Sequence, residues 1–234
     1  MRRLSFRLAL LGCLSAFAVP AAFPLAAQTA SAAPAAPGPL DLFFNTPYLA
    51  GLPSGATLSY AYVHKTARPD LGDSFDETMK LSLAPAQEDA AKKVATVAIF
   101  RGTAERGAGP FPALGNPMTL VVLEREAKEL TELSKGSPYY IRNRLRDGLA
   151  SAKVEPTSFS YDGKMIDGWK MSMTPFASDP HKDQLLELIG RSYEFVFSKD
   201  VPGGLYAVKV LTPQKDGSAP MIETRVTLTG NTQP

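Results

Sequence analysis

From residue 58 onwards, apolar side chains recur mostly at every second position. Leu58, Tyr60 and Tyr62 alternate with small or polar residues, Met79, Leu81 and Leu83 do the same, and Val94 to Phe100 makes a third run. Such period-two patterning marks strands with one buried face. Phe159 and Tyr161 lead into Asp162-Gly163, a strong hairpin signal. The return strand sets Met165, Trp169, Met171 and Met173 on one face. Three more runs close the chain: Tyr193/Phe195/Phe197, Tyr206/Val208/Val210 and Ile222/Val226/Leu228, with turns at Pro202-Gly203-Gly204 and Asp216-Gly217. Before the first strand, Leu42-Phe43-Phe44 predicts a turn of helix packed on the sheet edge. Residues 101–117 hold four glycines and three prolines and read as a loop.

The middle of the chain breaks the alternation. Met118 to Leu123 is nearly all apolar and rich in β-branched residues, which predicts a strand covered on both faces and ending at Glu124. Leu123, Ala127, Leu130 and Leu133 then recur at helical spacing, with Glu126, Lys128, Glu129 and Glu132 outside the stripe. Gly136 fits the left-handed end of this helix. Ser137 caps a second helix with Pro138 at its first position, and Ile141, Leu145 and Leu149 form its buried stripe. A third helix opens at Asp179-Pro180, buries Leu185, Leu186 and Ile189, and stops at Gly190. The sum is an α+β fold: a curled, mostly antiparallel, half-barrel-like sheet of about nine strands with about three covering helices.

The N-terminus changes the reading of the charge. Arg2, Arg3 and Arg7 precede an apolar, alanine-rich stretch from Leu8 to Leu25, and Ala30-Ser31-Ala32 fits a cleavage site. Residues 1–32 therefore read as a cleavable signal peptide, 33–39 as an Ala/Pro linker, 40–230 as one β-rich domain and 231–234 as a loose tail. Leu10-Leu11-Gly12-Cys13 resembles a lipoprotein box, but the apolar run continues past it, which favours cleavage near residue 32. Prolines at 20 and 24 argue against a permanent transmembrane span. The whole chain has 25 basic and 23 acidic side chains; without the leader's three arginines the balance is 22 against 23. The sequence pI of 8.6 thus comes from the leader, and a general nucleic-acid binder is excluded. The mature chain has no cysteine, so no disulfide framework exists, and the leader points to the periplasm.

Catalytic signatures are sparse. His64 continues the face of Leu58, Tyr60 and Tyr62, His181 falls in the first turn of a helix, and with no thiol they make no metal set. Neither G-x-S-x-G nor S-x-x-K occurs, and no Walker lysine follows a glycine loop. No cofactor and no catalytic residue is assigned. Two candidate sites remain. One is an apolar wall of Tyr60, Tyr62, Trp169, Met171 and Met173, in which methionine repacks easily around flexible chains; the bland counterpart is ordinary core. The other is basic: residues 135–146 carry four bases and no acid, so Ser137, Arg142, Arg144 and Arg146 at a helix start suit a phosphate or carboxylate. Pairing of these arginines with Glu126, Glu129 or Glu132 is its bland counterpart.

The leader, the many antiparallel strands and the few covering helices together resemble the periplasmic carriers of lipoproteins and lipids, the LolA-like half-barrel proteins. The resemblance covers the mature domain as architecture and rests on no diagnostic motif. It implies a non-catalytic protein with acyl chains among Tyr60, Tyr62, Trp169, Met171 and Met173. Arg142, Arg144 and Arg146 would then meet a polar head or a partner protein, and residues 101–117 would gate entry. The alternative is a cell-envelope interaction protein that docks helix 138–149 on an acidic partner or anionic lipid heads.

Overall fold

The computed structural model describes residues 35–234, so the expected signal peptide, Cys13 and the start of the expected linker lie outside the described residues. Nine strands form one unclosed antiparallel sheet: β1 (Thr57–Thr66), β2 (Phe75–Pro85), β3 (Lys93–Arg101), β4 (Ala104–Pro112), β5 (Lys153–Tyr161), β6 (Lys164–Met173), β7 (Ser192–Phe197), β8 (Leu205–Thr212) and β9 (Ile222–Thr232). Their order across the sheet is β4-β3-β2-β1-β9-β8-β7-β6-β5. Two meanders therefore run outward from the β1–β9 ladder, and the chain finishes the first at one edge and begins the second at the other. Helices α1 (Met118–Ser134) and α2 (Pro138–Ala150) make that crossing, which lays them over one face. This is the half-barrel form that the resemblance implies.

The alternation decides which face they cover. Leu58, Tyr60, Tyr62 and His64 of β1 are buried, as are Met79, Leu81 and Leu83 of β2 and Tyr193, Phe195 and Phe197 of β7. β8 and β9 add Val208, Val210, Val226 and Leu228. These residues and the buried stripes of both helices make one continuous core. A single wide helical turn, Asp41–Asn45, buries Leu42 and Phe43 in it. The Phe43 ring meets Phe195 edge-on at 5.5 Å, so this turn packs on the middle of the sheet rather than on its edge.

Four expectations from the sequence are corrected. Met118 to Leu123 is the start of α1, not a strand. Asn116 sets the helix off, its side chain accepting the Met118 N–H at 3.0 Å while its carbonyl accepts the Thr119 hydroxyl at 2.8 Å. The run is buried on several sides, as its composition suggests, but short apolar runs do not distinguish strand from helix. The ninth strand is instead β4, inside the segment read as a loop. As an edge strand it needs only one ladder, so Gly107, Gly109, Pro110 and Pro112 are tolerated there.

Lys135, not Gly136, takes the left-handed position after α1, with φ 55°. The third helix is only one short turn, α3 (Lys182–Leu185), continued by a tighter turn over Leu186–Gly190. There Leu185 and Leu188 are buried, whereas Leu186 points outward. The Asp179 carboxylate is engaged by Tyr140 and by the His181 N–H, so it closes a local turn instead of starting a long helix.

Candidate functional site

The interface between α1 and the sheet is not purely apolar. Arg191, immediately before β7, is fully buried and donates from Nε to Glu126 Oε2 at 2.9 Å and from Nη2 to the same oxygen at 2.6 Å. It also donates to Glu129 on the next turn of α1 and, from Nη1, to Thr212 of β8 at 3.1 Å. Glu129 reaches His64 Nε2 of β1 at 3.3 Å, and His64 Nδ1 sits 3.0 Å from the Thr224 hydroxyl of β9. The Tyr193 hydroxyl is buried beside this cluster without a hydrogen-bond partner among the described residues. Next to it, Glu77 binds Arg101 and Arg125, each at 2.8 Å, and Arg125 lies 4.4 Å over the Tyr62 ring.

Burial and the neighbouring charges shift Glu126, His64 and Arg191. Burial pushes Glu126 above its ordinary value, against the opposing pull of Arg191. Burial also lowers His64, against the pull of Glu129. For Arg191 burial works against the charge, but Glu126 and Glu129 outweigh it and hold the guanidinium protonated. The cluster is an anchor: replacing such buried ions by apolar groups is often neutral or stabilising, whereas removing one partner is costly. Neither glutamate was legible from the sequence, which placed both outside the helix stripe.

The apolar wall is assembled as one face but is filled. Tyr60 is fully buried, accepts from Asn116 Nδ2 at 2.9 Å and donates to the Leu205 carbonyl at 3.4 Å. Tyr62 stacks on Phe75 at 5.9 Å, and burial pushes its phenol up to about 12. Met171 and Met173 are buried opposite Phe195 and Tyr193, and Trp169, half-buried, pairs with Phe197. The tyrosine end and the methionine end lie on β1 and β6, separated by β9, β8 and β7.

The arginines of α2 are dispersed and paired, though not with the acids expected. Arg142 forms a two-pronged pair with Glu124 of α1, which holds the Glu124 carboxyl below its ordinary value. Arg144 meets the buried Asp179 at 3.0 Å and donates to the Pro175 carbonyl at 2.8 Å. Arg146 lies 3.7 Å from its neighbour Asp147, and Ser137 is exposed, with no side-chain bond into the start of α2.

What remains open and apolar is a groove of ≈ 180 Å³ between α1 and α2. Ala127, Leu145 and Leu149 form its floor and belong to the core, while Leu120, Leu123 and Phe44 form its lip. The Glu124–Arg142 pair and Arg146 stand at its rim. Exposed Leu120 and Phe44 were invisible as a site in the sequence because their neighbourhood forms only when Asp41–Asn45 reaches the helices.

No family model matches the chain. No curated protein matches it either. Solved structures similar to it include two from different bacteria. The lipoprotein LppX of Mycobacterium tuberculosis is 12% identical, with 80% of this chain and 90% of that chain covered and a TM-score of 0.33. A DUF1329 family protein from Desulfovibrio piger is also 12% identical, with 76% and 85% covered and a TM-score of 0.27. Among the described residues, no helix is long and apolar enough to cross a membrane.

Proposed function

We propose that this is a non-catalytic binding protein of the periplasm, exported by its signal peptide, that carries an acyl chain or similar apolar ligand between its helix pair and its sheet. The observation that supports this reading is the groove between α1 and α2, whose floor is the core itself. An apolar chain entering there continues the contacts that Ala127, Leu145 and Leu149 already make, and each methylene taken from water contributes about 0.8 kcal/mol. At ≈ 180 Å³ the groove is smaller than the ~300–1,000 Å³ of an ordinary ligand site. Entry therefore requires α1 and α2 to separate. The aromatic and methionine wall lies beneath the helices as the surface such a movement uncovers.

The rival reading, docking through the basic flank of α2, has less support, since Arg142, Arg144 and Arg146 each face a carboxylate. Lipid extraction from protein purified from its native envelope, followed by mass spectrometry, tests the proposal. Bound acyl species are expected, with Leu123→Trp filling the groove and removing them while the far-ultraviolet dichroism stays unchanged. A lipid-free wild-type protein that also binds no added fatty acid would overturn it.

A further inference from the structure

A second cavity lies on the other flank of α2, and its chemistry differs from that of the groove. It measures ≈ 380 Å³, within the ~300–1,000 Å³ typical of small-molecule sites, and sits between the last turn of α2, the ends of β5 and β6, and the turn that follows β6. Gly148 shapes it. A Cβ at this position would stand 2.6 Å from the Pro175 Cβ, so the absent side chain is what lets residues 174–178 close against the helix and form a wall.

Arg144 is held from behind. Its Nε faces Asp179, whose side chain is wholly buried, and one Nη2 proton goes to the Pro175 carbonyl. Only the Pro175 bond uses a guanidinium proton; Nε is buried without a hydrogen bond among the described residues, and the remaining Nη protons are left for a ligand in the cavity that Arg144 lines. The hydroxyls of Ser172, Thr174 and Ser178 add groups that both donate and accept, and Ser151, whose proton goes to the Asp147 carbonyl at 2.9 Å, adds an acceptor.

The charge balance selects the ligand class. Arg144 is neutralised by Asp179, and Lys153 is neutralised by Glu155 at 2.7 Å. Asp147 is likewise offset by Arg146 at 3.7 Å, which leaves the C-terminal end of α2, with its partial negative charge, to count against an anion. A neutral molecule with many hydroxyls satisfies donors and acceptors alike, and the Met173 and Pro175 floor suits the C–H face of a sugar ring. We infer that this cavity binds a neutral carbohydrate moiety, either as a free glycoside or as the head of a glycolipid. The inference stands independently of the apolar groove.

Titration of the isotopically labelled full domain with methyl α-glucoside, methyl α-mannoside and methyl β-galactoside, followed by amide chemical shifts, is the test. At least one glycoside should move the amides of Gly148, Ser151 and Thr174 in a saturable way, while inorganic phosphate and putrescine leave them unmoved. Asp147→Ala and Ser172→Leu, both at the surface-facing wall, should each abolish the shifts with the remaining spectrum retained. Vesicles of digalactosyl diglyceride compared with phosphatidylcholine separate the sources: preferential binding to the former identifies a lipid-borne sugar, and free glycoside binding alone identifies a soluble one. Silence towards every glycoside and glycolipid, or shifts of the same amides by phosphate or putrescine instead, overturns the inference.

Discussion

At the residue scale, His64 is the most informative side chain. Its imidazole contacts Glu129 on one nitrogen and Thr224 on the other, and burial holds its pKa below the ordinary 6.5. The unfolded chain therefore takes up a proton more readily than the native one, and stability falls as the pH drops from 6.5 towards the native pKa. Glu126 acts in the opposite sense. Its pKa is raised above the ordinary 4.5, so the native state binds that proton first and regains stability as the pH falls towards 4.5. Urea midpoints should consequently decline below pH 6.5 in the wild type and decline less in His64→Gln. An unchanged slope in the variant would show that His64 titrates alike in both states. The sequence placed His64 correctly on the inner face of β1, but its partner Glu129 was assigned to the solvent side of the helix. Helical spacing alone could not reveal this, because the arginine that draws the glutamates inward lies 65 residues from Glu126.

At the element scale, Arg191 ties α1 to β8 and to the start of β7, and Glu129 carries the link on to His64 of β1. Arg191→Met would leave the buried Glu126 and the half-buried Glu129 without their common partner, a change expected to cost about 3–5 kcal/mol in urea unfolding. Adding Glu126→Leu and Glu129→Gln should restore most of that loss, because the charges needing compensation are gone. If the triple variant were as unstable as the single one, Arg191 would be acting through packing rather than charge. Seven of the nine strands besides β4 and β1 follow directly from hairpin turns and alternation that the sequence displays, and β1 is as plain. The exchange of one element for another has a physical cause. Met118 to Val122 is buried on several sides and so carries no amphipathic period, while β4 is an exposed edge whose glycines and prolines hide its extended form.

For the whole molecule, the decisive feature is the crossing of α1 and α2 from one sheet edge to the other. It places a helix pair over the apolar inner face of the sheet, with ion pairs between the helices and the strands and methionine and aromatic side chains beneath. The sequence showed both the surface and the helices that cover it; the sheet edges between which the pair crosses depend on strand order, which alternation does not carry. For an apolar chain to enter as proposed, α1 and α2 must part. With no cysteine in residues 35–234, Glu124→Cys/Arg142→Cys introduces a unique pair there across the mouth of the groove, which a short bis-maleimide can bridge. Titration of a fluorescent fatty acid into bridged and unbridged protein measures the requirement directly. The unbridged variant should bind saturably and the bridged one should not; equal binding by both, or binding by neither, would contradict the account.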